Sequence, residues 1–216
     1  MVPRRLVLAC IGAGLVGCGA PQTVAMGQAM PEPGSYFITQ YTHPVYHPEP
    51  TPLENANCGP TSLAMAITAY GKVPRPYQGS RDKLIEAVRL AMTGTDDIGT
   101  WTYPAQFPFA AKQFGLGTQM VYGGVDGVLR QLAIPGRMVI VNVNPTPAYA
   151  NQLAHPFDGG HFALATAYDG ERIHLNDPLA ASPVTITRKQ LERALTTPLG
   201  DGIAPFNGGI AVWASR

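Results

Sequence analysis

Cysteine is scarce in this chain: only Cys10, Cys18 and Cys58 occur among its 216 residues. So few cysteines exclude the disulfide framework on which many small exported domains depend. Charged residues are also few, with 15 basic and 14 acidic side chains and a formal net charge of +1. A nearly neutral chain gives no reason to expect a nucleic-acid partner.

Patterns that bind metals or phosphates are missing as well. No pair of histidines and cysteines has the spacing of zinc ligands, and the acidic residues are scattered, so we expect no metal site. The run Gly123-Gly124-Val125-Asp126-Gly127 lacks both the spacing and the lysine of a phosphate-binding loop. We therefore expect a protein that works without a cofactor.

No apolar run near the N-terminus is long enough to span a bilayer, which takes about 20 residues. The short run 6–16 follows Arg4-Arg5 and leads into Leu15-Val16-Gly17-Cys18, which resembles a bacterial lipoprotein signal peptide with its lipobox. We expect residues 1–17 to be a removed signal, Cys18 to carry a lipid anchor in the cell envelope, and residues 18–34 to be a tether.

An ordinary secretory signal cut near Ala25 is the alternative, and it would remove Cys18 and give a secreted protein. Removal of 1–17 takes Arg4 and Arg5 from the 15 basic residues, leaving 13 against 14 acidic residues and a net charge of −1. The length of the remainder, residues 35–216, suits one domain, which we expect to be monomeric. That domain contains one unpaired thiol, Cys58, which calls for a functional explanation.

Helical patterns fill the first half of the chain and strand patterns the second, which indicates an α+β fold. The periodicities predict helices over 58–70, 81–92, 104–113 and 125–132, and strands over 118–122, 137–143, 162–168 and 209–214, with 35–46 a strand running into a loop. The segment between Val143 and Gly159 is either a mobile lid or a passive loop. Trp101 and Tyr103 could line a substrate cleft, but we favour packing in the core for both.

The first predicted helix begins at Cys58, with Asn57 as its N-cap. A thiol is nucleophilic as the thiolate, and the free N–H groups and macrodipole of a helix N-terminus favour that anion. Catalysis by a thiolate also needs a histidine to share the proton and a third group to orient the histidine. His161 follows Cys58 by 103 residues and opens a strand-like run.

Asp169-Gly170 is a turn signal that places His161 and Asp177 on one predicted hairpin. A three-residue loop would set His161 directly across from Asp177, whose carboxylate would then accept a hydrogen bond from the imidazole Nδ1–H. A two-residue loop would turn Asp177 to the other face and make Asn176 the diagonal neighbour of His161 instead. We favour Asp177 as the orienting residue.

Three motifs stand in the order Cys, His, Asp: Asn-Cys-Gly-Pro-Thr-Ser-Leu-Ala-Met at a helix start, Gly-Gly-His-Phe-Ala-Leu opening a strand, and Asn-Asp-Pro after a hairpin. Over about residues 36 to 214, the sequence resembles the papain-like cysteine peptidases related to the bacteriocin (double-glycine) leader peptidases. The resemblance implies that Cys58 is the nucleophile, His161 the general base and then acid, and Asp177 the orienting residue. It also implies a papain-like fold in which the cysteine helix packs on an antiparallel sheet that carries the other two groups.

The same resemblance implies an oxyanion hole built from the Cys58 backbone N–H and a glutamine that precedes the cysteine. Gln40 is our candidate, although it lies 18 residues upstream, with the Pro-rich stretch 44–53 as an insertion between them. Asn55 and Asn57 are lesser candidates.

We therefore expect an exported cysteine hydrolase that cleaves peptide bonds through a thioester acyl-enzyme. The leader peptidases that the sequence resembles favour small residues before the cleaved bond. An acyltransferase using the same thioester is one alternative. The other is a catalytically silent lipoprotein that binds a peptide or protein, which a position of Gln40 remote from Cys58 would support.

Overall fold

The computed structural model describes residues 31–41, 55–200 and 203–215. The predictions for the signal peptide, for Cys18 and for most of the tether lie outside these ranges. Within them, no helix has both the length and the apolar character needed to cross a bilayer.

An antiparallel sheet of six strands organises the fold, with the spatial order β1-β6-β2-β3-β4-β5. The strands are β1 Leu116–Val121, β2 Met138–Val143, β3 His161–Tyr168, β4 Arg172–Asn176, β5 Val184–Thr187 and β6 Gly209–Ala214. The helices are α1 Cys58–Ala69, α2 Arg81–Thr93, α3 Phe107–Gln113, α4 Gly124–Leu132, α5 Thr146–Tyr149 and α6 Arg188–Thr196. Short 3₁₀ turns cover Pro33–Tyr36, Arg75–Tyr77, Pro104–Gln106 and Ala150–Gln152.

Apolar residues on both faces of the sheet produce two cores. All six residues of β2 are buried, and they alternate between the faces: Met138 and Ile140 pack with α1 to α3, whereas Val139 and Val141 pack with α4 and α6. Helix α1 lies deepest, with ten of its twelve residues buried. A helix that is apolar on all sides must be enclosed by other elements, and α1 is covered by the sheet, α2 and α3.

The predicted strand over 35–46 is wrong in the part that the structure describes. Pro33–Tyr36 forms a 3₁₀ turn, and residues 37–41 belong to no strand. Tyr36 and Ile38 are buried in the first core, so their apolar character reflects packing and not strand pairing. The chain here is held by isolated bonds, such as the one from the Gln40 backbone N–H to the Pro178 carbonyl, at 3.0 Å.

Candidate active site

Cys58 is the first residue of α1, as the sequence predicts, and its side chain is partly exposed. Asn57 occupies the N-cap position, as expected, but its backbone is helical and its side chain makes no capping bond. Instead, Asn57 Oδ1 accepts a hydrogen bond of 2.7 Å from Arg89 Nε. The free N–H groups of the first turn still surround Cys58, and with the macrodipole they favour negative charge on the sulfur.

A buried arginine on α2 holds the segment that precedes Cys58. The Arg89 guanidinium donates from Nη2 to the Ala56 carbonyl at 2.7 Å, and from Nη1 to the carbonyls of Asp97 and Thr100, each at 2.9 Å. Its side chain is 1% exposed. One rigid, planar group therefore joins the approach to Cys58 to the loop that leads into Trp101.

Glycine follows Cys58 for a steric reason. A Cβ on Gly59 would lie 2.3 Å from Thr102 Oγ1 and 3.3 Å from the Phe107 ring. The loop after α2 therefore packs directly on the first turn of α1, at a distance that no side chain at position 59 allows.

A second contact fixes α1 against the sheet. Ser62, one turn after Cys58, donates from its hydroxyl to the carbonyl of Phe162 at 3.1 Å. Phe162 follows His161 on β3, so this bond sets the spacing between the helix that carries the thiol and the strand that carries the imidazole.

His161 and Asp177 meet as the sequence analysis expects, but through a different register. Both predicted pairings are wrong: Tyr168 pairs with Ile173, and Leu164 pairs with Asn176 after a bulge at Thr166. In this register Asp177 reaches His161 diagonally instead of facing it, and it approaches Nε2 instead of Nδ1, at 2.8 Å from Oδ1.

The physical cause of the longer loop is the side chain of Asp169. Its Oδ1 accepts hydrogen bonds from the backbone N–H groups of Glu171 (3.0 Å) and Arg172 (2.8 Å), which stabilises a wider turn than Asp-Gly alone predicts. Asn176, the alternative partner, instead donates to the Pro33 carbonyl at 2.8 Å. The observed orienting contact to His161 is therefore from Asp177.

The Asp177 carboxylate is fully buried and accepts from three directions. Oδ1 receives His161 Nε2 and the Leu179 backbone N–H, both at 2.8 Å, and Oδ2 receives the Tyr149 hydroxyl at 3.0 Å. Because Nε2 is occupied by the carboxylate, Nδ1 is the ring nitrogen left for the Cys58 thiol, and Cys58 and His161 line the same cleft.

This environment favours the imidazolium form of His161. Burial alone would lower its pKa, but the carboxylate of Asp177 and the sulfur of Cys58 outweigh that effect and raise the pKa from 6.5 to about 10. Burial, with a further contribution from Asp177, raises the pKa of Tyr149 well above 10, so its hydroxyl stays a donor. The arrangement can keep a proton on His161 at neutral pH.

Gln40 lines the same cleft as Cys58 and His161. Its Nε2 donates to the Asn55 carbonyl at 2.9 Å, while Asn55 Nδ2 donates back to the Gln40 carbonyl at 3.2 Å. The first bond uses one of the two hydrogens on Nε2, so the second remains for an oxyanion. Of the lesser candidates, Asn57 is engaged by Arg89, and both polar atoms of Asn55 are used, since its Oδ1 accepts from the Asn57 N–H.

The cleft has a volume of about 310 Å³ and is lined mainly by apolar side chains, among them Trp101, Tyr103 and Phe157. The prediction that Trp101 and Tyr103 pack in the core is wrong: they are 44% and 63% exposed, and both line this cleft. Within the ranges that the structure describes, no three ionisable or metal-binding side chains are grouped as metal ligands.

Comparison with known proteins identifies the family. The family model described as "Peptidase_C39 like family" matches residues 36–194. The chain belongs to this family. No curated protein matches the sequence.

Solved structures with the C39 fold are similar to this C39-like chain. A putative C39-like peptidase from Bacillus anthracis is 18% identical, with a TM-score of 0.52, over 83% of this chain and 94% of that one. The peptidase domain of Streptococcus ComA, a bifunctional ABC transporter of a quorum-sensing pathway, is 16% identical over 74% of this chain and 93% of that one, with a TM-score of 0.49.

A double glycine motif protease from an AMS/PCAT transporter, solved in complex with the leader peptide, is 19% identical over 76% of this chain and 87% of that one, with a TM-score of 0.44. At these identities the likeness concerns the fold, for which the Bacillus anthracis structure carries the argument. The predicted α+β, papain-like fold is confirmed, and the chain is a cysteine peptidase-like domain.

Two residues of this C39-like site, Tyr149 and Arg89, were not predicted from the sequence. Tyr149 stands in the segment between β2 and β3, which has no periodic pattern, so nothing in the sequence indicates that it reaches Asp177. Arg89 lies on a well-predicted helix, where an arginine normally marks the solvent face. Its position beside Ile85 and Val88 on the buried face was the available signal.

Proposed function

We propose that this C39-like domain is an active cysteine peptidase that hydrolyses peptide bonds through a thioester acyl-enzyme. The observation that carries the proposal is that His161, held by the buried carboxylate of Asp177, lines the same accessible cleft as Cys58 at the start of α1. A structural cysteine would not need an imidazole held in this way.

In the proposed acylation step, the Cys58 thiolate attacks the carbonyl carbon of the substrate and the imidazolium of His161 gives its proton to the leaving amine. The C–N bond breaks and a thioester to Sγ remains. In deacylation, neutral His161 takes a proton from water, the hydroxide adds to the thioester, and the thiol is released. Asp177 keeps the ring oriented and favours its charged form throughout.

The negative oxygen that forms in both steps needs donors. We assign this role to the backbone N–H of Cys58 and to the second hydrogen of Gln40 Nε2. The position of Gln40 in the cleft supports this assignment, whereas a Gln40 remote from Cys58 would have favoured a silent binding module. Loss of one oxyanion donor typically lowers the rate about 10²–10³-fold.

The proposal is tested by the rate at which iodoacetamide labels Cys58 in the purified full chain, with the site read by mass spectrometry. We expect fast labelling at pH 6.5 that falls at least tenfold in His161→Ala. His174→Ala is the matched control, since His174 lies on β4, beside Thr185 and Asp169 and away from the cleft, and it should label as wild type does. Equal rates in wild type and His161→Ala would mean that the imidazole does not activate the thiol.

We also propose that the protein is exported and anchored in the cell envelope through a lipid on Cys18. The support is the sequence pattern before Cys18: Arg4-Arg5, the short apolar run 6–16 and the lipobox-like Leu15-Val16-Gly17-Cys18. A globomycin-sensitive change in gel mobility that is lost in Cys18→Ala is the expected result. A mobility that neither treatment changes would instead favour free secretion.

A further inference from the structure

The cleft beside Cys58 has a mainly apolar lining. Of the described residues that line it, none is Asp, Glu, Lys or Arg. Its walls are formed largely by apolar side chains: Trp101, Phe157, Leu179, Leu199, Ile203 and Phe206. The reacting groups therefore open onto an apolar pocket and not onto a charged surface.

Two aromatic rings from separate segments form the centre of this wall. The ring centroids of Trp101 and Phe157 lie 6.5 Å apart, with the rings tilted by 41°. Phe157 is fixed in place over Gly159, where an added Cβ would lie 2.6 Å from the Phe157 ring. Gly159, the first residue of the Gly-Gly-His motif, thus leaves room for the Phe157 ring in this wall.

Much of this apolar surface is in contact with solvent. Trp101 is 44% exposed and Ile203 is 58% exposed, and both line the cleft within which Cys58 lies. Apolar surface that gathers in a concave site next to a reactive group is surface that a ligand covers. The volume of about 310 Å³ is at the lower end for ligand pockets. It suits one large side chain with its peptide unit.

We propose that this pocket binds a bulky apolar side chain of the substrate, of the Leu, Met or Phe class, within two residues of the bond that Cys58 attacks. The inference rests on the proposed function and specifies its substrate class. It differs from the small-residue preference that the resemblance to leader peptidases implies. Charged side chains are disfavoured at the same place, because they would lose hydration and, apart from the reacting groups Cys58 and His161, the described lining offers no opposite charge.

The test uses dipeptidyl chloromethyl ketones, whose last two residues are varied among Leu, Phe, Gly, Asp and Lys, on the purified full chain. The carbon that bears chlorine alkylates Sγ of Cys58 and chloride leaves, so the rate reports side-chain recognition without a known substrate. We expect probes with Leu or Phe to react about 10- to 100-fold faster than Gly-Gly, which is the effect of burying one such side chain. Asp and Lys probes should react no faster than Gly-Gly.

Variants identify the wall that gives the preference. In Trp101→Ala, the ratio of the Leu or Phe rate to the iodoacetamide rate should fall at least fivefold. Phe109→Ala is the matched control, because Phe109 is 68% exposed on α3 and does not line the cleft; its ratio should equal that of wild type. Ile203→Lys adds a charge at an exposed position and should raise the Asp rate while lowering the Leu rate.

The outcomes distinguish the proposed peptidase function from the proposed preference for an apolar side chain. If iodoacetamide labelling depends on His161 but Gly-Gly reacts as fast as Leu or Phe probes, the specificity inference is overturned and the proposed function stands. If labelling does not depend on His161, the proposed function fails and the inference falls with it. A Leu or Phe preference that Trp101→Ala and Ile203→Lys both leave intact would also overturn the assignment of this pocket.

Discussion

Replacement of Tyr149 by phenylalanine isolates one hydrogen bond of the site. The variant keeps the buried ring but removes the hydroxyl that donates to Asp177 Oδ2 at 3.0 Å. Both partners are at most 1% exposed, so water does not replace the lost donor. A hydrogen bond to a charged group contributes about 1.5–3 kcal/mol. We therefore expect the free energy of unfolding to fall by about 2 kcal/mol, a change of roughly 30-fold in the folding equilibrium.

Urea unfolding followed by circular dichroism measures this loss. With a slope near 2 kcal/mol/M, the midpoint should move down by about 1 M while the slope stays unchanged. Tyr122→Phe is the matched control, since Tyr122 is 66% exposed and should change the stability by less than about 0.5 kcal/mol.

A double-mutant cycle assigns the loss to the pair. In an Asp177→Asn background the Tyr149→Phe change should cost clearly less, because the hydroxyl no longer donates to a carboxylate. In the wild-type background, the rate of Cys58 alkylation should also fall, since the carboxylate that orients His161 is less firmly held. A stability loss no larger than that of Tyr122→Phe would mean that the hydrogen bond from Tyr149 to Asp177 does not stabilise the fold.

Three further predictions concern the supports of the site. Arg89→Lys keeps the charge but loses the planar set of donors. We expect the free energy of unfolding in urea to fall by about 2–4 kcal/mol and the alkylation of Cys58 to slow; a fall below about 1 kcal/mol would contradict the role of Arg89 in holding the segment before Cys58. Gly59→Ala places a methyl group 2.3 Å from Thr102 Oγ1 and should lower the free energy of unfolding by about 1–3 kcal/mol. Adding Thr102→Ala should restore part of this stability; if it restores none, another contact causes the strain. Because the pKa of His161 is raised from 6.5 to about 10, its contribution to stability is complete below pH 6.5 and is lost as the pH rises through 10. Stability should therefore fall between pH 7 and 10 more steeply in wild type than in His161→Gln, and parallel curves would count against the ion pair.

Long periodic segments were the predictable part of this fold. Helix α2 was expected over 81–92 and covers Arg81–Thr93, and β6 covers the expected 209–214. These elements are determined by local apolar spacing, which the sequence displays directly. Strand β5 and helix α6 were not predicted, although the capping box from Thr187 to Gln190 is a local signal for the start of α6.

Contacts that depend on backbone detail were less predictable. The choice of Asp177 as the partner of His161 agrees with the structure, but the register behind it does not. The strand pairing differs from the predicted one because Asp169 Oδ1 accepts a hydrogen bond from the Arg172 N–H and because β3 has a bulge at Thr166. Neither feature has a clear sequence signature. Tyr149 illustrates the same limit, since a single aromatic residue in an irregular segment gives no periodic pattern.

The position of β6 in the sheet has a consequence for how the protein is made. β6 lies between β1 and β2, although more than 60 residues of chain separate it from both. During synthesis, β1 has no neighbour in the sheet until Gly209–Ala214 has emerged. A chain that stops before Gly209 keeps Cys58, His161 and Asp177 but leaves a gap one strand in from the edge of the sheet, between the edge strand β1, which packs on α3, and β2, which pairs with β3. Proteolytic or genetic loss of residues 209–214, none of which lines the cleft, would therefore be a general way to silence the domain.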